Sequence, residues 1–288
     1  MSVLFRRIAL LFGIVVVLVL PSHWSLAADS VVVGRKVPIA DRVSAKDVRH
    51  DLWNHLLQQY VDRGGRVNYR TWKATPADLQ ALEDYLSELS RANHQMVTGK
   101  SDQLAYWINA YNALTIHGIL REYPTTSIRN HTAKVFGYNI WKDLRLTVGD
   151  VNYSLDHIEH QILRKLGEPR IHFAIVCAAL SCPRLLNEAY DAQRMDQQLT
   201  INARHFFSTS ANFQYDARQP VIYLSSIFDW FQTDFGADPA AMLKYVSPYL
   251  PTRSARQAAN RGTLEVRFLD YDWNLNDQKT LGSPRVGK

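Results

Sequence analysis

Tyr106-Trp107-Ile108-Asn109-Ala110-Tyr111-Asn112-Ala113 is the stretch on which the reading of this chain turns. It sits inside a helical pattern from about Asp102 to Glu122, with Ser101 as a fair N-cap and Pro124 closing the far end. Leu104, Trp107, Ile108, Tyr111, Leu114 and Thr115 share one broad face. Asn109 and Asn112 are three apart and lie close together. Asparagine is a poor helix-interior residue, and an unpaired polar group in an apolar setting costs about 1–3 kcal/mol. Two asparagines here demand partners from another element, in a buried network or in a site.

A second polar cluster follows about sixty residues later. His172-Phe173-Ala174-Ile175-Val176-Cys177 reads as part of a buried strand over 170–177, and Ser181-Cys182-Pro183 follows it. Cys177 and Cys182 are the only two cysteines of the chain. A bridge between them needs Cα atoms within about 7 Å, so the chain must turn at Ala178 to Ser181. On a regular strand, His172 and Cys177 would face opposite sides. Between the two clusters, Ser154 caps a helix over 154–166 that carries Glu159, His160 and Arg164.

Around this centre the pattern is mostly helical. Apolar spacings of three and four mark helices over 47–62, from Pro76 to Leu89, and over 188–207, with a short aromatic helix over 226–235. Val221-Ile222-Tyr223-Leu224 and Leu264-Glu265-Val266-Arg267-Phe268 read as strands. Few strands scattered among helices predict an α+β fold, a predominantly helical single domain with a small β-sheet.

The N-terminus has the layout of a secretory signal peptide over residues 1–27. Arg6 and Arg7 precede the apolar run Ile8 to Leu20, and Ser25-Leu26-Ala27 supplies small residues for cleavage. The run is shorter than the roughly 20 residues of a membrane span. Export to the periplasm or medium is expected, with membrane contact only through an uncleaved leader. Residues 28–46 read as an irregular leader, 47–278 as the domain, and 279–288 as a loose basic tail. Removing residues 1–27 from the 288 leaves 261 and takes away two arginines, so the net charge falls from +6 to +4. No basic block marks a nucleic-acid partner. The partner expected is a small molecule or a peptide.

The motifs admit two functions. In the first, Cys177 or Cys182 is the nucleophile of a thiol-dependent hydrolase or acyltransferase. His160 or His172 is its base, Glu159 orients the base, and Asn109 or Asn112 donates to an oxyanion. Arg164, Tyr111 and Asp272 would bind the substrate, and Asp272 or Asn274 would be the third member of a triad. In the second, the same polar groups are a structural network of a non-catalytic envelope protein, with a Cys177–Cys182 disulfide. Asp272 would then be an ordinary turn former. His157, His160 and His172 make only a weak metal pattern, without H-E-x-x-H or C-x-x-C, and neither a metal nor a cofactor is expected.

The chain resembles the DUF547 family. Four motifs in order carry the likeness: Tyr106 to Ala113, Leu155-Asp156-His157-Ile158-Glu159-His160-Gln161-Ile162-Leu163-Arg164, Arg170 to Pro183, and Phe268-Leu269-Asp270-Tyr271-Asp272-Trp273-Asn274-Leu275-Asn276. The resemblance spans about residues 50 to 276 and brings no activity with it. The order of helix 102–122, His172 and Asp272 is also similar to that of transglutaminase and papain-like enzymes, but the helix lacks their cysteine.

Overall fold

The computed structural model describes residues 30–93, 96, 98–133 and 137–278. The signal peptide expected over 1–27 and the basic tail expected over 279–288 lie outside these residues. Among the described residues no helix is long and apolar enough to cross a membrane.

The first part of the chain builds three helices. α1 (Asp51–Tyr60) buries Trp53, Leu56, Leu57 and Tyr60. α2 (Tyr69–Lys73) is a short helix, capped by the Asn68 side chain accepting from Thr71 N–H. α3 (Pro76–Leu89) begins with proline at its first position, where a missing N–H costs nothing. Their aromatic rings interlock: Trp53 stacks on Tyr85 at 5.7 Å and Tyr60 on Trp72 at 4.6 Å.

α4 (Lys100–Glu122) carries the first motif and is buried on every side from Leu104 to Leu114. An all-round apolar helix belongs at the centre of a core. Its cap is Gly99, whose N–H donates to Asp102, so Ser101 lies inside the helix rather than before it. At Gly118 a Cβ would stand 2.7 Å from the Leu144 side chain and 2.8 Å from that of Ile140. Only glycine lets α5 (Ile140–Asp143) and the strand after it approach so closely.

Two three-stranded sheets take the place of the one expected. In the first, β1 (Val31–Val33) runs parallel to β2 (Leu144–Val148), and β2 pairs antiparallel with β3 (Val151–Ser154) around Gly149. The sequence read as an irregular leader thus supplies an edge strand, since three consecutive valines suit a pleated surface. In the second sheet, β4 (Phe213–Tyr215) is antiparallel to β5 (Val221–Ser225), which is parallel to β6 (Glu265–Leu269). A parallel pair needs a crossover. α8 (Ile227–Trp230), α9 (Gln232–Phe235), α10 (Pro239–Val246) and α11 (Arg253–Arg261), numbered after the two helices below, supply it.

α6 (Leu155–His157), capped by Ser154 as expected, widens into a π-helix over Ile158–Leu163 and tightens into a 3-10 turn over Arg164–Leu166. Such widening is rare and recurs at functional sites. The strand expected over 170–177 is absent. Pro169–Phe173 forms a 3-10 helix, and an irregular, largely buried segment runs from there to α7 (Met195–Phe207) and its preceding turn.

Buried irregular backbone needs hydrogen-bond partners, and amide side chains provide them. Asn112 donates from Nδ2 to Ala174 O at 3.0 Å and accepts at Oδ1 from Val176 N–H at 3.0 Å. Asn109 holds Tyr190 in the same two-bond manner, at 2.8 and 2.9 Å. Asn202 on α7 donates to Phe173 O, and Gln198 on α7 clamps Ala189 O and Asp191 N–H. The apolar pattern of 170–177 reported burial correctly, but it could not report that a side-chain amide would replace a neighbouring strand.

Two apolar clusters result. The larger surrounds α4. The smaller contains Phe173, Phe206, Phe207, Phe228 and Phe235 beside the second sheet. Tyr271 packs on both. After β6 the chain returns across the molecule: Leu180 N–H donates to Asn274 O, Asn276 N–H to Ala178 O, and Val67 N–H to Asn276 O.

Replacing Asn112 with Ala leaves Ala174 O and Val176 N–H buried without their partner. The expected cost is about 1–3 kcal/mol in chemical denaturation. An unchanged denaturation midpoint would contradict this role.

Candidate functional site

A cavity of about 220 Å³ opens where the two clusters meet. The larger cluster contributes Tyr111, Glu159, His160, His172, Cys177 and Cys182 to its wall. The side of the second sheet contributes Ile227, Trp230 and Phe231, and the chain after β6 contributes Tyr271 and Trp273.

The cysteines are free, and their sulfurs stand 2.9 Å apart. The chain turns through Ala178, which has φ 57°, a left-handed conformation that costs a non-glycine residue about 1–2 kcal/mol. Asn276 N–H donating to Ala178 O and Leu180 N–H donating to Asn274 O hold the loop, and Ser181 and Asp272 exchange two more bonds. The turn directs Cys177 N–H onto Cys182 Sγ at 2.8 Å. Cys177 S–H also donates to Cys182 Sγ, and Tyr271 OH lies 3.1 Å from Cys177 Sγ. The two thiols are therefore unequal. Burial raises both, and the Cys182 sulfur on which it depends raises Cys177 further. For Cys182 the hydrogen bonds from the Cys177 side chain and backbone, Tyr271 and Ala179 outweigh burial and bring it below the ordinary thiol value.

His172 is buried, stacks on Phe231 at 4.2 Å, and places Nε2 at 2.8 Å from Asp234 Oδ2. Arg164 forks onto the same carboxylate, Nε to Oδ2 at 2.6 Å and Nη2 to Oδ1 at 2.7 Å. Burial would raise the Asp234 carboxyl, but its bonds to His172 and Arg164 hold it well below the usual range. An ionised carboxylate only accepts, so Nε2 of His172 carries a proton and donates it to Asp234. Arg164 Nη1 also donates to His160 Nδ1 at 3.1 Å, which puts the His160 proton on Nε2. Tyr111 OH donates to Glu159 Oε2 at 3.0 Å.

Several sequence expectations change. Asn109 and Asn112 are fully engaged with backbone and are not among the residues that line the cavity, so an oxyanion role is lost. Glu159 holds Tyr111, and it is Arg164, not Glu159, that orients His160. Arg164 is consumed by Asp234 and is not a free substrate-binding cation. Asp272 is exposed in a turn, accepting from Asn274 N–H and Nδ2, and is not the acid beside a histidine. Neither histidine bonds a sulfur: His172 is turned to Asp234 and Cys177 to Tyr271. The three histidines of the weak metal pattern diverge, since His157 packs edge-on against Tyr153, outside the cavity of His160 and His172. Cys177, Cys182, His160, His172, Glu159 and Tyr111 do come together on one wall.

Asp234 was missed because nothing near it in sequence announces a partner 62 residues away. Trp230, Phe231, Tyr271 and Trp273 left a signal, since aromatic residues crowd 226–235 and 271–273, but crowding alone does not separate a cavity wall from a core.

Residues 95–207 match the model of a family described as protein of unknown function, DUF547. No curated protein and no solved structure matches the chain.

Asp234→Asn removes the charge that both Arg164 and His172 face. Because the folded carboxyl is depressed, its stabilisation is full above the unfolded value of about 4 and fades as pH falls below it. The variant is expected to be less stable than wild type by about 1–3 kcal/mol at pH 7, with the gap narrowing below pH 4. Denaturation at pH 7, 4 and 3 checks this, and a gap that stays constant would refute it.

Proposed function

We propose that the protein, whose residues 95–207 match the DUF547 family model, is a thiol-dependent acyl-transfer enzyme, a hydrolase or acyltransferase. Cys182 is its nucleophile and His172, held by Asp234, its acid–base group. The observation that carries this is the convergence on Cys182 Sγ of the Cys177 N–H, at 2.8 Å, and the Cys177 thiol, at 2.9 Å, on the wall of a cavity that His172 also lines.

A thiolate stabilised by fixed donors attacks without prior deprotonation. Cys182 Sγ, whose proton already resides on His172 as the imidazolium, bonds to the acyl carbon, and the leaving group departs with that proton. The resulting thioester is cleaved by water or an acceptor, whose proton His172 takes back, and Cys182 is restored as thiolate. Asp234 keeps the ring in the tautomer this needs and stabilises the imidazolium. Tyr111 and Glu159 position the adjoining wall.

A second reading rests on the 2.9 Å between the sulfurs. In the oxidising compartment to which residues 1–27 point, the pair would close to a disulfide, and the site would be structural. So short a loop gains about 2 kcal/mol in the chain-entropy model.

Iodoacetamide labelling against pH, read by peptide mass, separates the two. The enzyme reading expects Cys182 to label in the unreduced protein with a midpoint below the free value of about 8.5. It also expects turnover of an activated aryl ester to fall at least about tenfold in both Cys182→Ser and His172→Ala. A pair that labels only after reduction, together with ester turnover unchanged in Cys182→Ser, would leave the structural reading.

A further inference from the structure

The cavity wall has an uneven chemistry. Trp141, Trp230, Phe231, Tyr271 and Trp273 line it, and so do the carboxylates of Asp156 and Glu159. No lysine or arginine is among the lining residues. Arg164, the nearest cation of the site, is neutralised by Asp234. Glu159 gives Oε2 to Tyr111, and its Oε1 accepts no hydrogen bond among the described residues. Asp156 is half exposed and meets only His160, at 3.9 Å. Two carboxylates thus stand beside aromatic faces; the cation that Glu159 feels is Arg164, which Asp234 already holds.

The rings are set for the same guest. Trp230 is 47% exposed and packs on Tyr271 at 4.9 Å and on Trp273 at 5.7 Å. Ring faces here already draw cations from outside the cavity. The guanidinium of Arg129 lies 5.4 Å from the Trp273 centroid, and that of Arg164 lies 5.3 Å from Phe231. Electron-rich faces attract cations through their quadrupole, and aromatic cages select alkylated ammonium groups because these are poorly hydrated. A volume of about 220 Å³ is below that of sites for drug-sized molecules, about 300–1,000 Å³, and suits a single small head group.

We propose that this cavity binds an alkylammonium group, with Trp230, Tyr271 and Trp273 as the aromatic wall and Glu159 and Asp156 as counter-charges. The inference rests on the cavity being the substrate site of the proposed enzyme and assigns its substrate class: an acyl donor or acceptor that carries an aliphatic or quaternary ammonium. The thiols face the same space, so the cation would anchor the substrate while its acyl carbon meets Cys182.

Choline and its neutral isostere 3,3-dimethyl-1-butanol are the probes. Each is titrated into the reduced full chain, with tryptophan fluorescence as readout and ionic strength matched by sodium chloride. Saturable binding of choline, with the isostere at least about tenfold weaker, is expected. Glu159→Gln and Trp230→Ala should each weaken choline at least threefold, and Glu159→Gln keeps the Tyr111 hydrogen bond if the tryptophan variant misfolds. Equal binding of the two probes, or no saturable response to choline, would overturn the inference. The titration is repeated in Cys182→Ser: binding retained there separates recognition from thiol chemistry. Ester turnover in wild type without choline binding would sink this inference and leave the enzyme reading standing.

Discussion

A buried stretch of chain without regular secondary structure governs this protein. From Ala174 to Tyr190 the backbone runs, largely buried, as neither helix nor strand, and its buried peptide groups need partners that water cannot supply. Asn109 and Asn112 on α4, with Gln198 and Asn202 on α7, meet that demand, and Asn54 adds a bond to Ala189 N–H. Each asparagine on α4 grips the segment by donor and acceptor together, the same pair of bonds a neighbouring strand would give. The segment is the floor of the cavity because these amides hold it there. The loop bearing both cysteines lies within it, with the strained Ala178 fixed by the returning C-terminal segment of residues 272–276.

Asp234 is the second constraint. It arrives from the side of the second sheet and takes Arg164 and His172 from the opposite side. One carboxylate therefore sets the separation of the cavity walls and the tautomer of the histidine between them. The π-widening of residues 158–163 sits in the helix that supplies Glu159, His160 and Arg164. The energetic cost of these features falls on the site, while the surrounding helices obey ordinary capping and packing rules.

Much of the helical frame was legible in the sequence. Asn109 and Asn112 announced their own burial, since asparagines in an apolar helix require partners. Ser154 announced a cap, and Pro76 a helix start. What stayed hidden was identity of partners. An apolar run over 170–177 reports burial and not whether strand or amide satisfies its backbone. The β2–β3 hairpin turns at Gly149 and Asp150, between Val148 and Val151, where residue types carry turn chemistry but the flanking strands are too short to show a period. Val31–Val33 passed as leader because a three-residue edge strand has no period to read. Asp272 lies within a motif and Asp234 in an aromatic helix with no motif, yet the fold brings only Asp234 to His172.

The account stands or falls on whether residues 173–191 are held as core rather than lying as a surface loop. Backbone amide hydrogen exchange measures that directly. Val176 and Tyr190 should exchange as slowly as the centre of α4 in wild type, and Asn112→Ala should release Val176 by at least about tenfold while Tyr190 stays slow. Exchange of both amides at loop-like rates in the wild-type protein would contradict the account.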